Sequence, residues 1–170
     1  MTDILLISGS PSAFSRSDIV LSYIGMLLEE SGRSFDIVSV RDFPAEVLAQ
    51  GLFQHQSISE FSKKVAEAEK IVIASPVYKA SYTGVLKALL DLLPQEAFLD
   101  KPLLPVAVGG TVFHLLSIEY SFKPLFSSLG CTSILKGVYA VDSQIHKVDG
   151  ITDSALAERI SGEVNKLLSV

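Results

Sequence analysis

IVIASPVYKASYTGVLKALLDLLP, residues 71–94, decides the fold. Ile71, Val72, Ile73 and Ala74 are apolar without alternation, the pattern of a central parallel strand covered on both faces. Ser75-Pro76 is expected to stop the ladder, because proline lacks the backbone donor and restricts the residue before it. Val77, Tyr78 and Lys79 then fall on the loop beyond the strand. Gly84 marks a close approach or the start of a helix, and Val85, Leu86, Leu89, Leu90 and Leu93 recur at helical spacing up to Pro94. Open α/β sheets bind ligands beyond the carboxyl ends of their strands, so this loop is the first place to look for a site.

Upstream, ILLIS at residues 4–8 reads as another central strand. It is followed by GSPSAFSRS, residues 9–17, and a helix with Ile19, Val20, Ile24, Leu27 and Leu28 on one face, ending near Gly32. This loop has two readings. Its hydroxyls, backbone donors and Arg16 suit an anion at a helix N-terminus. It also reads as an ordinary turn with Ser15 or Ser17 as N-cap. Neither GxGxxG nor GxxxxGK[ST] occurs. Residues 34–40 read as a second, edge-like strand. A short helical turn is expected from Pro44 to Gly51, and a helix whose capping box is Ser57 to Glu60 and whose apolar face is Phe61, Val65 and Ala68.

Downstream, LLPVAV at residues 103–108 reads as the fourth strand, with Pro105 an awkward occupant. Gly109-Gly110-Thr111 ends it, either as a plain turn with a cap or as backbone that a ligand can approach closely. Residues 113–129 read as a long helical segment. Pro124 removes the bond to the Tyr120 carbonyl, so a kink or π-bulge is expected at Tyr120. Residues 134–141 read as the fifth strand, interrupted by Gly137, with Asp142, Ser143 and Gln144 beyond its end. An amphipathic helix over residues 152–168 closes the chain.

The 170 residues are expected to form one α/β domain, residues 1–170: a doubly wound five-stranded parallel sheet in the flavodoxin-like order 2-1-3-4-5. Its switch point, between strands one and three, would set the serine-rich loop beside Pro76 and Tyr78. An anion site would then adjoin an apolar, aromatic-bearing one. A net charge of −5 argues against nucleic acid as a partner. No apolar run approaches the length of a membrane span, and the N-terminus lacks a basic signal-peptide region, so a cytoplasmic protein is expected. Cys131 is the single cysteine, and His55, His114 and His146 are far apart, so no metal site is expected.

The segments at residues 9–17, 75–94 and 109–125 (GGTVFHLLSIEYSFKPL) resemble the NADPH-dependent FMN reductase family. They are most similar to the FMN reductases of bacterial sulfonate-utilisation systems, which serve a separate flavin-dependent monooxygenase. The resemblance implies FMN and NADPH or NADH as ligands. Ser10, Ser15, Arg16 and Ser17 would hold the phosphate and ribityl end. Pro76, Val77, Tyr78 and Lys79 would border the isoalloxazine, with Gly109, Gly110 and Thr111 on its other side. It further implies a partner monooxygenase, a homodimer or homotetramer, and a link between Tyr120, the bulge and tetramer packing. Since flavin is the electron sink, no catalytic side chain is assigned. On the same scaffold a flavodoxin-like electron carrier, or a quinone or azo reductase with bound FMN, stays open.

Overall fold

The computed structural model describes residues 3–170. The apolar runs become strands β1 (Ile4–Ser8), β2 (Phe35–Ser39), β3 (Lys70–Pro76), β4 (Leu103–Gly109) and β5 (Val138–Val141). They pair in parallel in the order β2-β1-β3-β4-β5, as the sequence predicts. Helices α1 (Arg16–Glu30), α2 (Ala45–Gln50), α3 (Gln56–Glu67), α4 (Gly84–Leu90), α5 (Lys123–Ser128) and α6 (Ser154–Ser169) cover both faces.

Side chains alternate along each strand, so one apolar run feeds two cores. Leu5, Ile7, Ile71 and Ile73 pack with Phe61 of α3, Leu86 and Leu89 of α4, and Phe126 of α5. Ile4, Leu6, Val72 and Ala74 pack with Ile24 and Leu28 of α1 and Ile160 and Val164 of α6. Both layers consist of side chains almost wholly removed from solvent, and burial of this kind stabilises by about 1.5–3 kcal/mol per large aliphatic side chain. No helix among the described residues is long and apolar enough to cross a membrane.

Several boundaries differ from the sequence expectation, each for a local reason. β3 runs through Pro76, which still pairs in register with Val108. α3 starts at Gln56 rather than at a Ser57 cap, because the His55 side chain accepts from the Ser57 amide. α4 ends at Leu90, short of Pro94; Leu92 and Leu93 are buried in the turns that follow. β5 begins only at Val138, and Ile134 makes an isolated bridge to Leu103. That late start explains how Pro105 is tolerated inside the sheet. The β4–β5 ladder opens at Val106↔Val138, and beside Pro105 lies Gly137 at φ +88, where a Cβ would sit 2.8 Å from the proline ring.

The long helical segment expected over residues 113–129 is broken into three. A 3-10 turn (Val112–His114) is followed by a π-helical segment (Ile118–Phe122) that runs into α5. The Lys123 amide donates to the Ile118 carbonyl, five residues back, and Pro124 has no amide to offer Tyr120. The expected irregularity at Tyr120 is thus a π-helix. A small antiparallel hairpin, β6 (Ile145–His146) with β7 (Gly150–Ile151), has no counterpart in the sequence reading.

Candidate functional site

The carboxyl ends of β1, β3 and β4 lie side by side, so their loops share one rim. A cavity of about 210 Å³ opens there. It is lined by Ser10, Ser15, Arg16 and Ser17 from the first loop, by Pro76 and Tyr78 from the second, and by Val108 at the end of β4. Six of the residues singled out in the sequence therefore meet in one slot. Ser12, Ala13, Phe14, Asp142 and Lys147 complete its walls.

The first loop is held by its own hydroxyls. Ser15 caps α1: its Oγ accepts from the Asp18 amide at 3.2 Å while the Asp18 carboxylate accepts from the Ser15 amide at 3.3 Å. Ser15 is thus the N-cap of α1 and at the same time one of the residues that line the slot. Ser15 Oγ and Ser17 Oγ lie 2.9 Å apart. Ser10 is fully buried; its hydroxyl donates to the Ser12 carbonyl and accepts from the Ser12 amide. In the first turn of α1 the Asp18 amide goes to Ser15 Oγ and the Ile19 amide to the Ser15 carbonyl, which leaves the amides of Arg16 and Ser17, at the slot, to favour an anion.

Arg16 is held in place. Its Nε donates to the Ile145 carbonyl at 3.1 Å, and its guanidinium lies 3.6 Å from the Asp142 carboxylate. Arg41, just beyond β2, buttresses the loop from behind. It donates to the Ser10 carbonyl at 2.6 Å and the Ser12 carbonyl at 3.3 Å, and pairs with Asp18 at 3.3 Å. Thr83, the N-cap of α4, ties the first loop to the second through a 2.6 Å bond from its hydroxyl to the Gly9 carbonyl.

The second loop presents its aromatic ring by means of a strained turn. Tyr78 and Ser81 exchange backbone hydrogen bonds around Lys79 (φ +51) and Ala80 (φ +63). Two successive left-handed residues make a type I′ turn, a conformation that favours glycine or asparagine. Phe14, on the first loop, is left-handed as well, at φ +55. Such backbones cost about 1–3 kcal/mol each and cluster at functional sites. Tyr78 is 49% exposed and Phe14 86%, so the slot has aromatic walls standing in solvent. Val77 instead turns to the core, with its amide on the Val108 carbonyl, and Lys79 stands at the exposed tip of the turn.

On the third loop, glycine at 109 is required by a protein neighbour. A Cβ there would lie 2.1 Å from Tyr139 Oη, which donates to the Thr111 carbonyl at 2.6 Å. Burial, then the nearby Asp142 charge, pushes the Tyr139 phenol above its ordinary range, so it stays a donor at neutral pH. Gly110 is exposed with open space where a side chain would be, which leaves the backbone approachable. A second, larger groove of about 640 Å³ lies beyond the β5 edge, between Val112, Leu115, Lys136, Tyr139 and Arg159. Of the predicted loop residues, Ser10, Ser15, Arg16, Ser17, Pro76 and Tyr78 line the smaller slot, whereas Val77, Lys79, Gly109, Gly110 and Thr111 do not; its serine end suits an anion and its Pro76, Tyr78 and Val108 end suits a flat ring.

Arg41, Thr83, Asp142, Tyr139 and Lys147 were not singled out as site residues in the sequence. A signal existed for two of them. Arg41 and Asp142 follow strands directly, and strand ends are where a doubly wound sheet builds its site.

The family model for NADPH-dependent FMN reductase matches residues 2–146. An FMN reductase (NADPH) of Pseudomonas putida KT2440 is 38% identical over 165 residues, covering 97% of this chain and 84% of the relative. An FMN reductase (NADPH) of Escherichia coli K12 is 40% identical over 144 residues, covering 84% and 74% respectively. Among solved structures, the apo form of the NADH:FMN oxidoreductase EMOB superposes with a TM-score of 0.89 at 31% identity, over 100% of this chain and 90% of that one.

Proposed function

The chain belongs to the NADPH-dependent FMN reductase family, and on that premise we propose that the strand-end slot is where this NAD(P)H-dependent FMN reductase binds its flavin. When bound, FMN supplies the chemistry, accepting a hydride from the reduced nicotinamide. The residues present fit it. Ser15, Ser17 and the first-turn amides of α1 offer donors to a phosphate, Arg16 adds a charged one, and the exposed Gly110 backbone leaves room beside a ring.

The chain's own groups bind and orient. Ser15 sets the start of α1, Arg41 holds the Ser10 carbonyl, and Thr83 fixes the first loop against the second. Tyr78 and Pro76 give one apolar wall, and Tyr139 shapes the other through Gly109 and Thr111. Holding two rings at reacting distance is the main catalytic requirement here, and a prefolded rim meets it. No side chain is assigned as acid, base or nucleophile.

The observation that carries this reading is the convergence of Ser15, Arg16, Ser17 and Tyr78 on one cavity. The solvent-facing walls, Phe14 and Tyr78, support FMN as an exchangeable substrate that leaves reduced. The consumer is then an oxygenase that takes free reduced flavin, in the cytoplasm. The exposed Val112, Phe113, Leu116 and Tyr120 support self-association of this single domain as a homodimer or homotetramer. Steady-state oxidation of NADPH and NADH with FMN as variable substrate tests the reading. Turnover that saturates in free FMN is expected; turnover driven by quinones and indifferent to free FMN would overturn it.

A further inference from the structure

We propose that Lys147, on the turn of the β6–β7 hairpin, supplies the uncompensated positive charge that holds the FMN phosphate; this rests on the slot being the flavin site.

Among the charged side chains that line the slot, Arg16 and Asp142 oppose one another and Lys147 is left over. Arg16 lies against Asp142 at 3.6 Å, and Arg41 against Asp18 at 3.3 Å. Each arginine is also committed to backbone carbonyls, Arg16 to Ile145 and Arg41 to Ser10 and Ser12. Lys147 lines the same slot and makes no hydrogen bond or ion pair among the described residues. The carboxylate nearest to it in sequence, Asp149, does not line the slot and faces His146 Nδ1 at 2.8 Å. Without Lys147 the side chains lining the slot sum to about neutral; with it, a dianion meets a net positive lining.

The hairpin is built to bring this lysine there. Ile145 is buried, its carbonyl receives Arg16, and it pairs with Ile151; Gln144 accepts from the Thr152 amide at 3.1 Å. The base is therefore fastened to the first loop and to the start of α6. The turn between the strands is exposed, and Gly150 takes φ +77 to close it. A lysine at this place is a point charge on a flexible stem that can follow a phosphate.

The test compares flavins with and without a phosphate. Dissociation constants for FMN and riboflavin are measured by flavin fluorescence, in a phosphate-free buffer, for the wild-type protein, Lys147→Gln and Lys147→Arg. FMN binding to K147Q is expected to weaken about 3–10-fold, with riboflavin within twofold and K147R close to wild type. The FMN gap should narrow as salt is raised. Equal FMN affinities for wild type and K147Q, or equal losses for FMN and riboflavin, would overturn the role of Lys147 while leaving the slot intact. A wild-type protein that binds neither flavin would overturn the flavin reading itself.

Discussion

The Thr83 hydroxyl donates to the Gly9 carbonyl at 2.6 Å, joining residues 74 apart in sequence, and the same oxygen accepts the Leu86 amide that opens α4. Both groups are buried, so this one side chain decides how the first loop sits against the second. Thr83→Val keeps the shape and removes the bond. It is expected to lower stability by about 1–3 kcal/mol, since a buried carbonyl and a helix amide both lose their partner. FMN affinity should fall with it. Urea melts and flavin titration check this, and Thr83→Ser should recover most of both.

Arg41 acts on the slot from behind. Arg41→Met removes the bonds to the Ser10 and Ser12 carbonyls and leaves Asp18 without its ion pair. FMN affinity should fall by about an order of magnitude, the scale of one charge-assisted hydrogen bond. A direct loss of the reacting geometry would instead lower turnover at saturating FMN. The expected split is a raised KM for FMN with little change in kcat.

Gly109 and Tyr139 form a pair that cannot be altered independently. Gly109→Ala places a methyl 2.1 Å from Tyr139 Oη and should be strongly destabilising. Tyr139→Phe removes that oxygen, so the double variant should be more stable than the sum of the single effects allows. Thermal melts of the four proteins give the coupling directly.

The same tyrosine sets an alkaline limb. Its folded-state pKa is raised, chiefly by burial, so the folded protein holds the phenolic proton more tightly than the unfolded chain. The resulting stability is fully present below the ordinary tyrosine value of 10.0 and is lost as pH rises through the folded value. Stability measured from pH 8 to 11 should therefore fall less steeply for Tyr139→Phe than for wild type.

The π-helical segment carries Tyr120 out into solvent, 78% exposed, beside Leu116 at 54%. Deleting Tyr120 should return the segment to α-helical spacing and withdraw this apolar surface. A smaller oligomeric mass by light scattering, or altered FMN retention, is the expected outcome. Unchanged mass and unchanged FMN affinity would count against a role for the bulge in assembly.

How much of this was legible follows from where each signal resides. The central parallel strands were legible because residues 4–7, 71–74 and 103–108 are apolar runs without alternation, spaced for parallel crossovers. The π-helix was legible because Pro124 names the carbonyl it cannot serve. The hairpin that carries Lys147 was not, since two-residue strands leave no periodicity to read. The cap of α3 was missed because His55 does what a serine was expected to do. Gly109 stands open in the sequence between a plain turn and room for a ligand; the atom that requires it is Tyr139 Oη, and only tertiary structure brings residues 109 and 139 together.

The most direct test is the structure of the protein crystallised with FMN. The phosphate should lie within hydrogen-bonding distance of Ser15 or Ser17 and the first-turn amides of α1, with the ring beside Tyr78 and the Gly110 backbone. FMN found instead in the groove between Lys136, Tyr139 and Arg159, with residues 10–17 untouched, would contradict a flavin slot built on the convergence of Ser15, Arg16, Ser17 and Tyr78.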